Sequence, residues 1–339
     1  MMKHMRVLPA AYLLLCGVVF SGQAPAQGTL AQIKVFGPSL AGNLEGDDPE
    51  RDVFVYLPPG YGDSGKRYPV IYFLHGYAVG AEVYVNGVLR MPESVNQAMA
   101  GGAKHVIIVI PDAFTRYGGS MYSNSPAIGD WESFVARDLV AYIDAHYRTI
   151  PARAGRGLSG HSMGGYGTLR IAMKHPDVFG ALYAMSSCCL LLEAPGREEV
   201  EAELTRMAQG IETQAGTMAN RIQAQAAAWA PNPRNPPYYF DLPFKDGEAQ
   251  PLIQAKWTAN AQLVMVDQYV PILKRYRAIQ LDVGDQDQLG ETNFQLDVAL
   301  TRLGVEHGFE VYDGEHGNRV GQRFIEKLLP FFAGRLEVE

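Results

Sequence analysis

The sequence has 339 residues, of which 47% are hydrophobic and 19% charged, a composition typical of a folded globular protein rather than a disordered one. Its formal net charge is −7, and it contains no run of lysine and arginine that would form the basic surface needed to bind a nucleic-acid backbone. These features argue against nucleic acid as a partner, and no cysteine and histidine spacing matches a zinc site.

The first predicted element is a signal peptide over residues 1–26. Two basic residues precede an apolar run from Val7 to Phe20, and the segment ends in Ala24-Pro25-Ala26, the small-x-small pattern that signal peptidases cleave. Because the run is shorter than the ~20 residues that span a bilayer, we favour cleavage over an uncleaved membrane anchor. We therefore expect an exported protein, periplasmic or extracellular, with no stable membrane span and a mature chain that begins at Gln27.

After the signal, apolar runs of strand length alternate with amphipathic helical stretches. The predicted strands are Asp52 to Leu57, Pro69 to Leu74, Val106 to Ile110, Gly180 to Met185, Ile279 to Val283 and Phe309 to Tyr312. The predicted helices are Trp131 to Tyr147, Met163 to His175, Thr292 to Leu303 and Arg319 to Phe332. This alternation predicts an α/β fold with a mostly parallel central sheet and helices on both faces. The first strands lack intervening helices and predict an antiparallel opening, and ligands are expected at the carboxyl ends of the strands.

One segment, about residues 190–269, interrupts the alternation. It contains two helical stretches, Arg197 to Met207 and Met218 to Trp229, and a proline- and aromatic-rich run from Pro231 to Phe240. We interpret it as a helical and aromatic insertion within one domain, residues 27–339, placed before the strand that should carry the acid of the site. It leaves from the carboxyl end of a strand, which favours a lid over the ligand face. A buttress packed on the sheet edge is the alternative.

Two adjacent cysteines, Cys188 and Cys189, lie just before this insertion, and the third cysteine is lost with the signal. Adjacent cysteines can form a disulfide only through a strained ring, so the pair cannot join distant segments. We interpret both as small, buried side chains, and their redox state stays open.

The chemistry is indicated by Gly160-His161-Ser162-Met163-Gly164, which matches the pattern G-x-S-x-G. In this pattern a serine occupies a strained turn from strand to helix, and the glycines two residues to either side let the backbone and neighbouring strands approach closely. The residues that follow, Tyr166 to His175, favour a helix whose amino terminus stabilises a developing oxyanion. Ser162 is therefore the predicted nucleophile.

A serine hydroxyl needs a general base, and this type of site places its residues in the chain order serine, acid, histidine. Three histidines follow Ser162 in the sequence. His175 lies at the end of the helix after the serine, and His307 precedes a strand, which places both away from the hydroxyl. His316 follows that same strand, on the ligand face, and is the predicted base.

The supporting groups are expected at the ends of two other strands. The acid that orients the histidine should lie in the loop after the strand that ends near Val283, where Asp285 and Asp287 are both eligible. The backbone N–H groups of Tyr77 and Met163 are predicted to form the oxyanion hole.

Aromatic residues near the same end of the sheet are candidates for substrate binding. Tyr117 and Tyr122 lie in the loop after the strand Val106 to Ile110, and Trp131 follows them. Such groups can line an acyl or alcohol pocket, although a purely structural loop explains them as well. We expect aromatic or short acyl esters to be preferred over long-chain lipids, because flat acyl groups pack well on aromatic walls.

The sequence resembles the putative esterase family, which includes feruloyl esterases, esterase D (S-formylglutathione hydrolase) and the antigen 85 mycolyltransferases. The motifs that carry the resemblance are Phe73-Leu74-His75-Gly76, Pro111-Asp112-Ala113, Trp131-Glu132-Ser133-Phe134, Gly160 to Gly167 and Gly284 to Leu289. The resemblance implies an α/β-hydrolase fold and a triad of Ser162, Asp287 and His316. Asp287 stands three residues after Gly284, where the family has its acid, and Asp285 is then expected to cap or brace the turn.

The residues and the resemblance together predict a secreted serine esterase that acts on a small-molecule or polysaccharide-linked carboxylic ester, in the manner of a feruloyl esterase. Acylation of Ser162 and hydrolysis of the acyl-enzyme imply neither metal nor cofactor. One alternative is an acyltransferase with the same triad, as in the mycolyltransferases. The other is a non-catalytic binding protein on an esterase scaffold, which would need a triad member to be missing.

Overall fold

The computed structural model describes residues 27–191, 194–208 and 218–338. The predicted signal peptide, residues 1–26, lies outside these ranges and stays a prediction. In the part of the chain that is described, no helix is long and apolar enough to cross a membrane.

A single large sheet forms the centre of the described chain. Its strands are β1 (Thr29–Phe36), β2 (Glu50–Leu57), β3 (Val70–Leu74), β4 (Ile107–Pro111), β5 (Arg156–His161), β6 (Ala181–Met185), β7 (Ala278–Gly284) and β8 (Gly308–Tyr312). Their spatial order is β1-β2-β4-β3-β5-β6-β7-β8. Strand β2 is antiparallel to both β1 and β4, and all other neighbours are parallel. The predicted mostly parallel sheet with an antiparallel opening is confirmed.

Helices lie between most of the parallel strands. They are α1 (residues 81–88), α2 (Glu93–Ala100), α3 (residues 131–146), α4 (Met163–Lys174), α5 (Arg197–Ala208), α6 (Arg221–Trp229), α7 (Pro251–Thr258), α8 (Gln262–Leu273), α9 (Gly290–Arg302) and α10 (residues 320–335). Three of them widen into a π-helix over part of their length, at Tyr84–Val88, Phe134–Leu139 and Phe324–Leu328. The predicted helices occur within a few residues of their expected bounds, but the hydrophobic pattern did not indicate the π-helical segments.

Both faces of the sheet are buried, because successive side chains of a strand point to opposite faces. Along β3, Val70, Tyr72 and Leu74 pack into one hydrophobic core, while Ile71 and Phe73 pack into another. The first core includes residues of α3, α4 and α6 to α9, and the second includes residues of α1, α2 and α10. The prediction of helices on both faces is confirmed.

The insertion before β7 packs against α4 and the loop that follows β4. Trp229 of α6 donates its indole N–H to Ser123 Oγ at 3.2 Å, and its ring centroid lies 5.7 Å from that of Tyr166 in α4. The side chain of Gln262, at the start of α8, donates to the Tyr166 carbonyl oxygen at 3.1 Å. These contacts fit the buttress interpretation for the second half of the insertion. This half also contains two helices, α7 and α8, that the sequence did not predict.

Candidate active site

Ser162 lies at the turn between β5 and α4. Its backbone angles, φ +58° and ψ −115°, are strained for a residue with a side chain. Hydrogen bonds hold the turn in place, since the Ser162 N–H donates to the Met185 carbonyl oxygen at 3.0 Å and its own carbonyl accepts from the Cys188 N–H at 3.2 Å. A Cβ at Gly160 or Gly164 would collide with neighbouring backbone. The turn therefore requires glycine two residues to either side of the serine.

Three side chains are joined by hydrogen bonds at the carboxyl ends of the strands. His316 Nε2 lies 2.9 Å from Ser162 Oγ, and His316 Nδ1 lies 2.9 Å from Asp287 Oδ2. A carboxylate only accepts, so Nδ1 carries the imidazole proton and Nε2 is available to accept the serine proton. The Asp287 side chain is fully buried, whereas 33% of the His316 side chain is exposed. The structure thus brings together three residues selected from the sequence and leaves the imidazole accessible.

Asp287 is ionised at neutral pH. Burial raises the pKa of Asp287, but hydrogen bonds from His316 and from the Leu289 N–H, at 2.9 Å, outweigh that effect and place the pKa below its usual value. The hydroxyl of Ser186 adds a further hydrogen bond that lowers the same pKa. The carboxylate can therefore stabilise a positive charge on the imidazole.

Asp285 makes contacts of another kind. Its Oδ1 accepts a hydrogen bond from the Gly314 N–H at 3.0 Å, and its own N–H donates to the Tyr312 carbonyl oxygen at 2.8 Å. The two loops approach closely, because a Cβ at Gly284 would collide with the Gly314 backbone. Asp285 thus connects its own loop to the loop that carries the histidine, whereas the sequence suggested a brace within its own turn.

His161, the residue before Ser162, holds the backbone of the histidine loop. Its Nε2 lies 2.7 Å from the His316 carbonyl oxygen, and its Nδ1 lies 2.7 Å from Tyr84 Oη. Burial, and then the proximity of His316, lower the pKa of His161 to about 3. Sequence reasoning missed both positioning groups. Tyr84 lies 77 residues from His161 and belongs to no recognised motif. The only sequence indication for His161 was its position directly before the serine.

The predicted oxyanion donors border the nucleophile. A Cβ at Gly76 would lie 3.5 Å from the Ser162 Cβ, so the loop that leads from β3 to Tyr77 runs beside the serine. Met163 is the first residue of α4, and the first N–H groups of a helix have no partner within it. Neither the Tyr77 nor the Met163 N–H donates to a backbone acceptor among the described residues. Gly119 packs against both side chains, because a Cβ there would lie 2.6 Å from Met163 Sδ and 2.7 Å from Tyr77 Cδ2.

Two of the aromatic binding candidates lie in the core. Tyr122 is 0% exposed and donates to the His75 carbonyl oxygen at 3.2 Å, and Trp131 is 1% exposed and donates to the Ile128 carbonyl oxygen at 2.9 Å. The expectation that these two side chains line a substrate pocket is therefore corrected. A loop aromatic at a strand end has the same sequence pattern whether it faces a ligand or the protein interior.

The third candidate, Tyr117, lies between Tyr77 and Phe240 of the insertion. Its carbonyl oxygen accepts from the Tyr77 hydroxyl at 2.7 Å, and its ring packs edge-on against Phe240 at 5.9 Å. Phe240 and Tyr238 line a cleft of about 790 Å³ in the insertion. Tyr117 is itself 5% exposed, so in this structure it supports other aromatic groups and presents little surface of its own.

The geometry fits proton transfer and nucleophilic attack. Ser162 Oγ can pass its proton to His316 Nε2, and the resulting imidazolium is stabilised by Asp287. Two N–H groups beside the serine, those of Tyr77 and Met163, can donate hydrogen bonds to a substrate oxygen that gains negative charge. In the described ranges, no group of three or more His, Cys, Asp or Glu side chains is arranged to hold a metal ion.

The sheet order and the position of the serine at the end of β5 define an α/β-hydrolase. The hydrogen bond between this serine and His316 is the arrangement of a serine hydrolase of that fold. A family model described as Putative esterase matches residues 48–332. The chain therefore belongs to the Putative esterase family, as the sequence resemblance predicted, and is an esterase-type hydrolase.

Two curated relatives come from strains of Mycobacterium tuberculosis, Esterase MT1326 from strain CDC 1551 / Oshkosh and Esterase Rv1288 from strain ATCC 25618 / H37Rv. Each is 37% identical to this chain over 135 residues, which are 38% of this chain and 27% of the relative. The matched region thus spans about a quarter of the length of these relatives.

Three solved structures show the same fold. A ferulic acid esterase is 23% identical, with a TM-score of 0.64, and the match covers 92% of this chain and 100% of that one. S-formylglutathione hydrolase (FrmB) from Staphylococcus aureus is 15% identical with a TM-score of 0.61, covering 91% of this chain and 100% of that one. MPT51 from Mycobacterium tuberculosis is 16% identical with a TM-score of 0.58, covering 91% and 99%.

Proposed function

We propose that this chain is an exported carboxylic-ester hydrolase that uses Ser162, His316 and Asp287 as a catalytic triad. The observation that carries the proposal is the continuous hydrogen-bonded series from Ser162 Oγ through both imidazole nitrogens to Asp287, with 2.9 Å for each link. Membership of the Putative esterase family supports an ester as the bond that is cleaved.

In the acylation half of the reaction, His316 Nε2 takes the proton of Ser162 while Oγ attacks the ester carbonyl carbon. The carbonyl oxygen becomes an oxyanion, and the N–H groups of Tyr77 and Met163 donate hydrogen bonds to it. The imidazolium, stabilised by Asp287, then gives its proton to the departing alkoxide. The products of this half-reaction are a free alcohol and an acyl group on Ser162.

In the second half, His316 removes a proton from a water molecule that attacks the acyl-enzyme. The collapse of the second tetrahedral intermediate returns the proton to Ser162 and releases the carboxylic acid. The rate should fall in acid, because only the neutral imidazole can accept a proton. A rate that does not fall in acid would contradict a histidine base.

We infer an aromatic or short acyl group on the substrate, as in feruloyl esterases, attached to a small molecule or to a polysaccharide. Support comes from the half-buried ring of Tyr77 beside the predicted oxyanion donors and from the aromatic cleft at Tyr238 and Phe240. Flat acyl groups pack well against such walls. A panel of acetyl, palmitoyl and hydroxycinnamoyl esters tests this inference, and a kcat/KM that rises steadily from acetyl to palmitoyl would refute it.

The nucleophile is tested with a fluorophosphonate probe, which reacts with a serine that has a general base beside it. We expect one labelled peptide, containing Ser162, and no labelling of Ser162→Ala. The matched control is Ser64→Ala, which removes a hydroxyl from a loop outside the site and should label as the parent does. Labelling that persists in Ser162→Ala would overturn the assignment.

Hydrolysis and acyl transfer share the first half-reaction and differ in the group that attacks the acyl-enzyme. The two are distinguished by the products formed when glycerol or a sugar is supplied with the ester. We expect free acid as the main product at every acceptor concentration, and an acylated acceptor as the main product would favour a transferase.

Export is tested by the amino terminus of the protein produced with its full sequence in a secreting bacterium. Cleavage after Ala26 should give a chain that begins at Gln27. Recovery of the protein with Met1 intact would exclude a cleaved signal.

A further inference from the structure

The loop that follows β6 carries two thiols in contact with each other. Cys188 and Cys189 are consecutive residues, and their Sγ atoms lie 2.7 Å apart, closer than non-bonded sulfur atoms normally approach. Both residues are free thiols and both are partly exposed. Cys189 has φ +60°, a left-handed conformation that is uncommon for a residue with a side chain. The backbone therefore adopts an uncommon left-handed conformation at Cys189, where the two sulfur atoms are in contact.

The same loop touches the active site from two directions. The N–H of Cys188 donates to the Ser162 carbonyl oxygen at 3.2 Å, and Ser186, two residues earlier, donates its hydroxyl to Asp287. On the other side, the Gln225 amide of α6 lies 3.7 Å from Cys189 Sγ. A change in the conformation of this loop would therefore reach the nucleophile, its acid and the insertion together.

We propose that Cys188 and Cys189 form a redox-active vicinal disulfide at the edge of the active site. The bond would require the sulfur atoms to move from contact to about 2.05 Å, which is a small displacement for neighbours on one loop. The closed ring contains the peptide bond between the two residues, so oxidation would restrict the loop without joining distant parts of the chain.

Oxidation of the pair is a dithiol–disulfide exchange with an external disulfide such as oxidised glutathione. The contact between the thiols, and then burial, raise the pKa of Cys188. This disfavours Cys188 as the attacking group, and we expect Cys189 to attack first. It forms a mixed disulfide and releases one glutathione. Cys188 then loses its proton and attacks Cys189 Sγ, which releases the second glutathione. Two protein thiols and one external disulfide thus become one protein disulfide and two glutathione thiols.

The first test is a mass measurement on the tryptic peptide that spans residues 175–197, which contains both cysteines and no other. The protein is equilibrated with excess oxidised glutathione, denatured in iodoacetamide and digested. We expect an unlabelled peptide two hydrogens lighter than the dithiol form, and a doubly labelled peptide after prior reduction with a phosphine. Two labels without reduction, or a peptide that keeps bound glutathione, would overturn the proposal.

Single variants serve as controls for the ring. Cys188→Ser and Cys189→Ser each leave one thiol, which should take up either one label or one glutathione under the same conditions. Because the measurement is a peptide mass, it gives an answer whether or not the protein hydrolyses esters.

The second test concerns the coupling of the pair to the site. A phosphine is used as the reductant, since a thiol could itself accept the acyl group. We expect kcat/KM of the dithiol form to fall about tenfold on oxidation and to recover when the phosphine is added, because the site is aligned in the dithiol form, a reacting group displaced by ~1 Å can lose ~10²-fold in rate, and a smaller displacement loses less. Cys188→Ser/Cys189→Ser should not respond to the phosphine. Equal activity of the oxidised and reduced forms would overturn the coupling.

Discussion

His161 donates a hydrogen bond from Nε2 to the carbonyl oxygen of His316, across 2.7 Å. A carbonyl oxygen only accepts, so the proton of this neutral imidazole lies on Nε2, and Nδ1 accepts from the Tyr84 hydroxyl. With its pKa lowered to about 3 by burial and by His316, His161 stays neutral throughout the neutral range, and its two hydrogen bonds select this tautomer. His316 is therefore held both by Asp287, which accepts from its imidazole, and by His161, which donates to its backbone carbonyl oxygen.

The first prediction concerns Tyr84→Phe, which removes the donor that fixes the tautomer of His161. If the buried His161 turns or changes tautomer, the His316 carbonyl loses its partner and the imidazole shifts relative to Ser162. We expect kcat to fall by about tenfold, since a misplacement of ~1 Å can cost ~10²-fold. KM should stay unchanged, because neither Tyr84 nor His161 is placed to touch substrate.

Steady-state kinetics across the pH range measures this effect. Tyr142→Phe is the matched control, because it makes the same chemical change at a ring that stacks on His146 in α3, outside the site. A Tyr84→Phe enzyme with the parent kcat and the parent pH profile would show that the contact is purely structural.

The second prediction separates the two aspartates of the acid loop. Asp287→Asn replaces an acceptor with an amide that can force the wrong tautomer of His316, and loss of the orienting carboxylate should lower kcat on the order of 10⁴-fold. Asp285→Asn keeps an oxygen that can still accept from the Gly314 N–H, so we expect it to retain most activity and to lose at most ~1 kcal/mol of stability.

Both variants should be compared for kcat and for melting temperature. A well-folded but inactive Asp285→Asn beside a nearly active Asp287→Asn would reverse the assignment of the acid.

The position of these residues shows what the sequence could and could not predict. The strands, the turn at Ser162 and the order of acid and histidine follow from local patterns, since each depends on residues close together in the chain. The contact between Tyr84 and His161 joins residues 77 positions apart, and no periodicity signals a contact of that kind. It depends on the side-by-side placement of α1 and β5, which only the folded sheet determines.

The aromatic candidates illustrate the same limit. A tyrosine in a loop after a strand is equally compatible with a pocket wall and with the core, because both bury its ring and bond its hydroxyl. Tyr122 is buried because its ring packs directly against Gly167 of α4, where a Cβ would lie 2.5 Å from Tyr122 Cδ2. That close approach of a loop to a helix has no local sequence signature.

The third prediction concerns Gly119→Ala. A Cβ at this position would lie 2.6 Å from Met163 Sδ and 2.7 Å from Tyr77 Cδ2. Met163 is fully buried, and the Tyr77 hydroxyl donates to the Tyr117 carbonyl oxygen at 2.7 Å, so both side chains are restrained. The two predicted oxyanion donors should separate. Loss of one such donor costs about 10²-fold to 10³-fold in kcat, and we expect Gly119→Ala to reach the lower end of that range.

Gly65→Ala is the control for this change, because a Cβ there would have no neighbour within 4 Å. Kinetics on a chromogenic ester gives the comparison. Parent-like kcat in Gly119→Ala would mean that the N–H groups of Tyr77 and Met163 do not stabilise the transition state.

The fourth prediction is a pH dependence of stability. A hydrogen bond from Arg323, followed by the effects of Lys327, lowers the pKa of Glu310 to about 2. A carboxyl group whose pKa is lower in the folded protein stabilises the fold above its unfolded pKa, and this stabilisation is lost as the pH falls through the folded pKa. Because 36% of the Glu310 side chain is exposed, solvent screening limits the effect to below about 1 kcal/mol.

Melting temperatures of the parent and of Glu310→Gln should therefore differ at neutral pH and converge as the pH falls from ~4.3, the usual value for glutamate, towards about 2. A difference that is constant over this interval would show that the carboxylate makes no charge-dependent contribution.

The fifth prediction concerns the ion pair that lies beneath the site. Asp282 of β7 is fully buried, and its Oδ2 accepts hydrogen bonds from Arg323 Nη2 at 2.8 Å, from Arg323 Nε at 2.9 Å and from the Tyr183 hydroxyl at 2.8 Å. Burial raises the pKa of Asp282 above its usual value in spite of these partners. The pair connects the strand before the acid loop to the helix after the histidine loop.

Arg323→Met should destabilise the protein by about 3 to 5 kcal/mol, because it leaves a buried carboxylate without its cation. Lys327→Met is the matched control, since Lys327 pairs with Glu310 at 2.9 Å in an exposed position and should cost below about 1 kcal/mol. Denaturant unfolding of both variants gives the two free energies. A double variant, Asp282→Leu/Arg323→Met, should recover much of the loss, because an apolar pair removes the uncompensated charge along with its partner. If the double variant is as unstable as Arg323→Met, the cost comes from lost packing around the arginine and not from the buried charge.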